Sequence, residues 1–235
     1  MGLVNGIVNT VKRFFFPQAV AEREFGASPA VSLTMEQHIG LWYAMMVNTP
    51  PWQNCDVKAV GLPAAICREV ARPTLVEFTA NITGSKRADY LNENFQTAKE
   101  NFNRALELGL ALGGVALKPY IYGDKMLVDV TGAAGFQPTK FDPSGHCIGG
   151  VFKDKPVKVN GTYYVRLESH ELNGTTYTIK NKAYYSDSAG SVGADAQLTT
   201  IPEWADIEPE VAIENVDGPL FAYFKPPIAN TADSN

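Results

Sequence analysis

The sequence has few of the residues that build metal and cofactor centres. Its 235 residues include only three cysteines and three histidines. The cysteines, Cys55, Cys67 and Cys147, form no C-x-x-C pair, and no histidine stands at metal-ligand spacing from them. Three such cysteines are typical of reduced thiols in a cytosolic protein. We therefore expect no bound metal, no cofactor and no disulfide framework.

Long apolar runs and basic clusters are also lacking. No apolar run approaches the roughly 20 residues that span a bilayer. Near the start of the chain Lys12 and Arg13 follow the apolar residues, which is the reverse of a secretion signal. The formal net charge of -5 argues against coating nucleic acid, since phosphate neutralisation needs clustered Lys and Arg. These features predict a soluble protein made in a cytoplasm, without a membrane partner.

Fragments of catalytic motifs occur without their partners. The pair His170-Glu171 lacks the second histidine of H-E-x-x-H. Ser144 lies in Pro-Ser-Gly-His, which resembles a turn and lacks the G-x-S-x-G elbow, although His146 is close. The glycines at 113 and 114 are not followed by the Lys and Ser or Thr of a phosphate loop. The chain is therefore predicted not to be an enzyme.

The first 31 residues are predicted to be an amphipathic arm. Apolar residues recur at helical spacing through residues 3–15, until Pro17 ends the pattern. Phe14 and Phe15 lie at its basic end. A helix docked on a neighbouring subunit or domain explains this pattern better than a membrane-surface peptide does. Phe14 and Phe15 are therefore candidate subunit-interface residues.

Residues 32–113 are predicted to be mainly helical. One helix has Thr34 as its N-cap and carries Trp42, which fits a core or interface position. A further helix runs over residues 62–72 and ends before Pro73, since the residue before a proline disfavours helix. Residues 74–82 then alternate in polarity as a strand does.

The clearest element is one long helix over about residues 85–112. Its charged outer face contains Arg87, Glu93 and Arg104 and is mixed in sign, which is typical of a solvated or subunit-facing surface and not of a nucleic-acid stripe. We name these three residues, with Trp42, as candidate interface residues.

Residues 114–235 show a period of two and are predicted to form an antiparallel sheet. The predicted strands cover residues 115–122, 126–130, 136–141, 148–152, 157–159, 163–172, 175–184 and 220–224, with a small-residue loop over 186–197. Because helices come first and strands later, the fold class is α+β, with the long helix packed on the C-terminal antiparallel sheet.

An acidic connector precedes the last strand. No Lys or Arg occurs between Lys182 and Lys225, while acidic residues accumulate there. A solvated loop explains this composition, and so does a docking face for a basic neighbour. On the second reading Glu203, Asp206 and Glu208 are further candidate interface residues.

Several segments share one resemblance. They are NCDVK at 54–58, LPAAI at 62–66, ITGS at 82–85, ADYLN at 88–92, GGVALKPY at 113–120, HELNGTTYTI at 170–179 and PLFAYFK at 219–225. In number and order they resemble the portal proteins of tailed bacteriophages and prophages of Gram-positive bacteria. The resemblance covers nearly the whole chain, and none of its motifs encodes chemistry.

The resemblance implies a structural subunit of the portal ring, typically a dodecamer, at one vertex of the virion capsid. Such a ring nucleates head assembly, admits and releases DNA through its channel, and contacts capsid and scaffolding proteins, terminase and tail adaptor. The subunit is made in the host bacterial cytoplasm. Portal subunits are longer, so this chain is expected to be the wing-containing half, with residues 32–113 and 114–235 as the two parts of the wing and with clip, stem and crown largely absent.

One alternative function belongs to another class. The second half is rich in tyrosine, and such side chains on a sheet can stack on sugars, although they also form cores and cross-strand pairs. The tyrosines concerned are Tyr163, Tyr164, Tyr177, Tyr184 and Tyr185. On this reading the chain is a host-surface or carbohydrate-binding module of a phage tail.

Overall fold

The computed structural model describes residues 18–26, 31–54, 58–189 and 191–227. The helices are α1 (Gln18–Phe25), α2 (Leu33–Met46), α3 (Leu62–Val76), α4 (Ala88–Lys99) and α5 (Phe102–Leu112). The strands are β1 (Val115–Tyr122), β2 (Lys125–Gly132), β3 (Phe136–Phe141), β4 (Cys147–Lys153), β5 (Val157–Val159), β6 (Thr162–Asn173), β7 (Thr176–Ser186), β8 (Ala194–Ala196), β9 (Glu210–Ile213) and β10 (Ala222–Phe224). Helices precede a large antiparallel sheet, so the predicted α+β class is confirmed.

The chain divides into two compact units. The first unit contains the described residues of Met1–Leu41 and Ala134–Pro219, and the second contains those of Trp42–Ala133 and Leu220–Ala229. The division of the wing at residue 113 stays a prediction.

The first unit is built on a seven-stranded antiparallel sheet. Its order is β3-β4-β6-β7-β8, with β5 also paired to β6 and β9 to β7. The β5–β6 turn at Asn160-Gly161 has positive φ at both residues, as a two-residue type I′ hairpin requires. Helix α1 packs on the sheet through Ala21, which is fully buried against a core of Val151, Val165, Leu167 and Tyr184. This apolar contact holds the helix in place.

Polar contacts fix the same helix at its C-terminal end. The Lys182 Nζ on β7 donates hydrogen bonds to the Glu24 carboxylate at 2.9 Å and to the Glu24 carbonyl at 3.1 Å. The hydrogen bond from Lys182 to the carboxylate is the main cause of a lowered pKa at Glu24, and a hydrogen bond from Arg23 adds to it. A cation at the end of α1 also suits the negative end of the helix dipole.

The second unit is built on the three-stranded sheet β10-β1-β2. Helices α4 and α5 pack on its strands, and α3 packs on α5. Gly109 on α5 permits this approach, because a Cβ there would lie 3.2 Å from both the Phe224 ring and Val115. Leu112, Val115 and Ala116 are buried between helix and sheet. The core of this unit is therefore formed where α5 runs into β1.

The predicted long helix over residues 85–112 is wrong as a single element. It consists of α4 and α5, which are separated at Glu100 and Asn101. The Asn101 N–H donates to the Ala98 carbonyl at 3.0 Å, a three-residue spacing that tightens the turn. Asparagine weakens a helix interior because its short amide competes for backbone hydrogen bonds. The sequence pattern reported the shared apolar face and missed this break.

The predicted end of a helix before Pro73 is also wrong. Helix α3 continues through Pro73 to Val76, so residues 74–76 are helical and the strand predicted over 74–82 does not form. Proline removes one backbone donor from the helix. The Thr74 hydroxyl donates to the Val70 carbonyl at 3.0 Å in the same turn.

Smaller differences concern caps and short strands. The N-cap of α2 is Ser32 and not Thr34, since the Ser32 Oγ accepts a hydrogen bond from the Met35 N–H at 3.1 Å. The loop predicted over 186–197 contains β8, and the acidic connector contains β9; both pair with β7. The other predicted strands are confirmed with ends shifted by a few residues at most. The predicted arm helix, with Phe14 and Phe15, lies outside the described residues.

Candidate functional site

A cluster of polar side chains lies within the seven-stranded sheet. Arg166, Glu168 and His170 alternate along β6 and share one face, and Tyr177 and Asn181 of β7 lie on that face. The His170 Nε2 is 2.8 Å from the Glu168 carboxylate, and the Nδ1 is 2.8 Å from the Tyr177 hydroxyl. An Arg166 nitrogen donates to the other Glu168 oxygen at 3.1 Å. Four side chains therefore form one continuous hydrogen-bonded row.

Arg166 connects this row to neighbouring elements. Its Nε donates to the Asp154 carboxylate at 2.8 Å, and another nitrogen donates to the Asn181 side-chain oxygen at 3.2 Å. The Arg166 side chain is 14% exposed, so the acceptors of its guanidinium must offset the cost of removing the charge from water. The cluster is a support for the sheet.

The order carboxylate, imidazole, phenol is also the order of a proton relay. Here the His170 side chain is 3% exposed and Tyr177 is fully buried, which leaves no space for a substrate atom next to either group. The histidine ring packs edge-on against Phe152 at 5.2 Å between centroids. Sequence reasoning singled out His170 and missed Glu168, although the alternation of polar residues along 166–170 was the available signal.

The Ser144 and His146 segment is an exposed turn, as its sequence indicates. One oxygen of the Asp142 carboxylate accepts hydrogen bonds from the Ser144 and His146 N–H groups, each at 2.8 Å, and the other lies 3.1 Å from the His146 Nδ1. The backbone hydrogen bond from His146 is the main cause of a lowered pKa at Asp142. The His146 side chain is 77% exposed. Asp142 thus organises a surface turn.

Glu36 on α2 and Lys153 on β4 affect each other's protonation. Burial raises the pKa of Glu36 to about 7 and lowers the pKa of Lys153 to about 8. In each case the charge of the other residue opposes the shift in part, so the two side chains interact. No local pattern links the two residues, because they are distant in sequence and meet only in the folded unit.

The predicted interface residues fall into two groups. Glu203, Asp206 and Glu208 are exposed in the first unit, where the buried Ile201 and Trp204 fasten their segment to the sheet. The second unit contains the half-buried Trp42 and the exposed Arg87, Glu93 and Arg104. The acidic connector is therefore a fixed surface and not a free loop, since the Asn181 side chain also donates to the Glu208 carbonyl at 3.0 Å.

Helix α3 carries an exposed apolar surface that the sequence analysis missed. Leu62, Ile66 and Val70, the α3 row, occur every fourth residue and are 58%, 54% and 49% exposed. The opposite side of the helix packs on α5, with Ala71 buried. A contiguous exposed apolar surface marks a contact with another molecule.

The β1–β2 hairpin forms a second exposed apolar surface in the same unit. Its end carries Tyr120, Ile121 and Tyr122, the hairpin tip, which are 45%, 66% and 75% exposed. The turn is held by α4, because the Tyr90 hydroxyl donates to the Asp124 carbonyl at 2.9 Å and the Asn94 side chain accepts from the Met126 N–H at 2.8 Å. The hairpin tip is thus a fixed surface.

The tyrosines proposed for sugar stacking differ in exposure. Tyr177 and Tyr184 are fully buried, so they cannot contact a ligand. Tyr185 is 45% exposed, and its ring lies 6.4 Å from that of Tyr164, centroid to centroid. The Tyr163 ring is covered by the Lys158 ammonium at 5.1 Å. The described sheet therefore offers a smaller aromatic surface than the tyrosine count suggested.

Two further features concern only the part of the chain that the structure describes. Within it, no three His, Cys, Asp or Glu side chains are placed to hold a metal ion. None of the helices in the described ranges is both long and apolar enough to cross a membrane.

No protein-family model matches the chain, and a search of curated proteins finds no significant relative. What this protein does must therefore be inferred from its fold and its surfaces.

Proposed function

We propose that this protein is a structural assembly subunit, the wing-containing part of a bacteriophage portal ring. The observation that carries the proposal is the pair of different apolar surfaces on the second unit, the α3 row and the hairpin tip. A ring forms by repeated head-to-tail contacts, and such contacts need two different, complementary surfaces on each subunit. The resemblance of seven sequence segments to portal proteins supports the same assignment.

In this role the chain contributes to a ring at the DNA entry and exit vertex of the capsid, and in the portal family that it resembles this ring is typically a dodecamer. The ring nucleates head assembly and connects to terminase and tail. DNA passes through the assembled channel. The formal net charge of -5 agrees with this role, since a protein that coats nucleic acid needs clustered Lys and Arg. The exposed Glu203, Asp206 and Glu208 fit a basic surface on a neighbouring virion protein.

Electron microscopy of the purified natural gene product, with its mass distribution measured in solution, tests this function. We expect closed rings of one dominant size. A protein that remains monomeric or dimeric at micromolar concentration would contradict the proposal. A glycan array on the same sample tests the alternative: a specific, saturable sugar ligand would favour a carbohydrate-binding tail module.

A further inference from the structure

A partner that covers the whole α3 row must be long and apolar on one side, with its apolar residues at helical spacing. The three side chains of the row follow one line along the helix surface, because residues four apart lie above one another. A second helix can pack along such a line, with its own apolar residues between those of the first. A single loop or a small ligand would cover only part of the row.

Residues 1–17 have the required pattern. Their apolar residues recur at helical spacing, and their length is similar to that of the 15-residue α3. The segment leads into α1, which Ala21 and the Lys182–Glu24 contacts fix to the sheet of the first unit. The segment is therefore joined to a fixed helix, and its sequence pattern predicts an apolar side that a partner can cover.

The charges of the two partners are complementary. Residues 1–17 contain Lys12 and Arg13 and no acidic residue. Glu77, the residue directly after α3, is exposed at the C-terminal end of the helix, where the helix dipole is negative. The basic residues of α3 are engaged by its own neighbours, since Arg68 is 3.9 Å from Glu107 and Arg72 is 3.7 Å from Glu69. The basic end of the segment thus suits the C-terminal end of α3.

We propose that residues 1–17 of one copy of this chain dock along the α3 row of a neighbouring copy. This inference rests on the proposed ring and names two of the surfaces that meet in it. The contact is head-to-tail, because the segment leaves the first unit of one copy and the row belongs to the second unit of the next.

Photo-crosslinking tests the contact directly. A benzophenone amino acid replaces Ile66 in the natural gene product, and light and heavy isotope-labelled copies are mixed before assembly. Mass spectrometry then identifies the crosslinked peptide and shows whether it comes from the same or another copy. We expect crosslinks to residues 1–17 of a different copy. The same photoreactive residue in place of Tyr185 is the matched control, since Tyr185 is 45% exposed but lies outside both the row and the hairpin tip.

Self-association measurements provide the second test. Ile66→Gln and Phe15→Gln should each weaken association about tenfold, and the two together should weaken it by little more than either alone, because they remove one contact. Crosslinks within one copy, crosslinks from position 66 to another segment, or additive effects would overturn the docking proposal even if rings form. Absence of any self-association of the unsubstituted protein would instead reject the ring itself.

Discussion

The free energy of unfolding should depend on pH through Glu36, which α2 places beside β4. Its pKa in the folded protein is about 7, against an ordinary value of 4.5, because burial disfavours the charged carboxylate. Between those pH values the folded protein holds a proton that the unfolded chain has released. The contribution of Glu36 is therefore fully present below about pH 4.5 and is lost as the pH rises through about 7.

The size of this effect follows from the same values. A rise from 4.5 to about 7 corresponds to about 3 kcal/mol for a fully buried group. Glu36 is half-buried, and solvent screening reduces the figure to about 1–2 kcal/mol. Lys153 affects stability at higher pH, because its pKa is lowered to about 8 from 10.5. The stability that it contributes is lost as the pH falls through about 8. The two residues together make the interval near pH 7 to 8 the least favourable.

Urea unfolding of Glu36→Gln at several pH values from about 5 to 8 measures the effect. Glutamine resembles the protonated carboxyl, so the variant should be more stable than the unsubstituted protein by about 1–2 kcal/mol near pH 8, with a smaller difference near pH 5. The control Glu203→Gln changes an exposed carboxylate in the same unit and should alter stability by less than about 0.5 kcal/mol throughout. A Glu36→Gln stability profile parallel to that of the unsubstituted protein would refute the reasoning.

Two further substitutions test the seven-stranded sheet. Arg166→Met removes a cation that offsets two partly buried carboxylates, and denaturant unfolding should show a loss of about 2–4 kcal/mol; a loss below about 0.5 kcal/mol would mean that the cluster supports nothing. Gly150→Ala places a Cβ 2.4 Å from the Phe136 ring and should cost about 1–3 kcal/mol, whereas Gly218→Ala has open space within 4 Å and should be nearly neutral in the same thermal unfolding assay. Equal effects of the two alanines would contradict the packing argument.

The strands were predictable because their signals are local. The alternation of polarity along a strand and an Asn-Gly turn can each be read from a few consecutive residues. Strands β5, β6 and β7 form as those patterns indicate. The strands that were missed, β8 and β9, are three and four residues long and are held by their pairing with β7. Short strands of this kind depend on a tertiary partner more than on their own sequence.

The surfaces were less predictable than the strands. The exposure of Arg87, Glu93 and Arg104 was predictable because charged side chains on a helix face are exposed by default, and their role as interface residues stays a prediction. The α3 row could not be identified, since an apolar residue is expected inside and only the packing of α3 on α5 shows which of its two apolar sides is covered. The pairing of Glu36 with Lys153 was hidden for a related reason, because a contact between distant segments leaves no periodic signal.

The two units differ in whether the groups described above are covered within the unit itself. This difference distinguishes residues that stabilise the folded subunit from residues that contribute to assembly. In the first unit the buried polar groups of β6 bind one another, and α1 covers the apolar face of the sheet. In the second unit the α3 row and the hairpin tip stay exposed after the local core has formed. Substitutions within the β6 cluster should therefore lower the stability of the subunit. Polar substitutions at Ile66 or Tyr122 should leave subunit stability nearly unchanged and should weaken assembly. An exposed side chain contributes little to folding, and it becomes buried only when a partner packs against it.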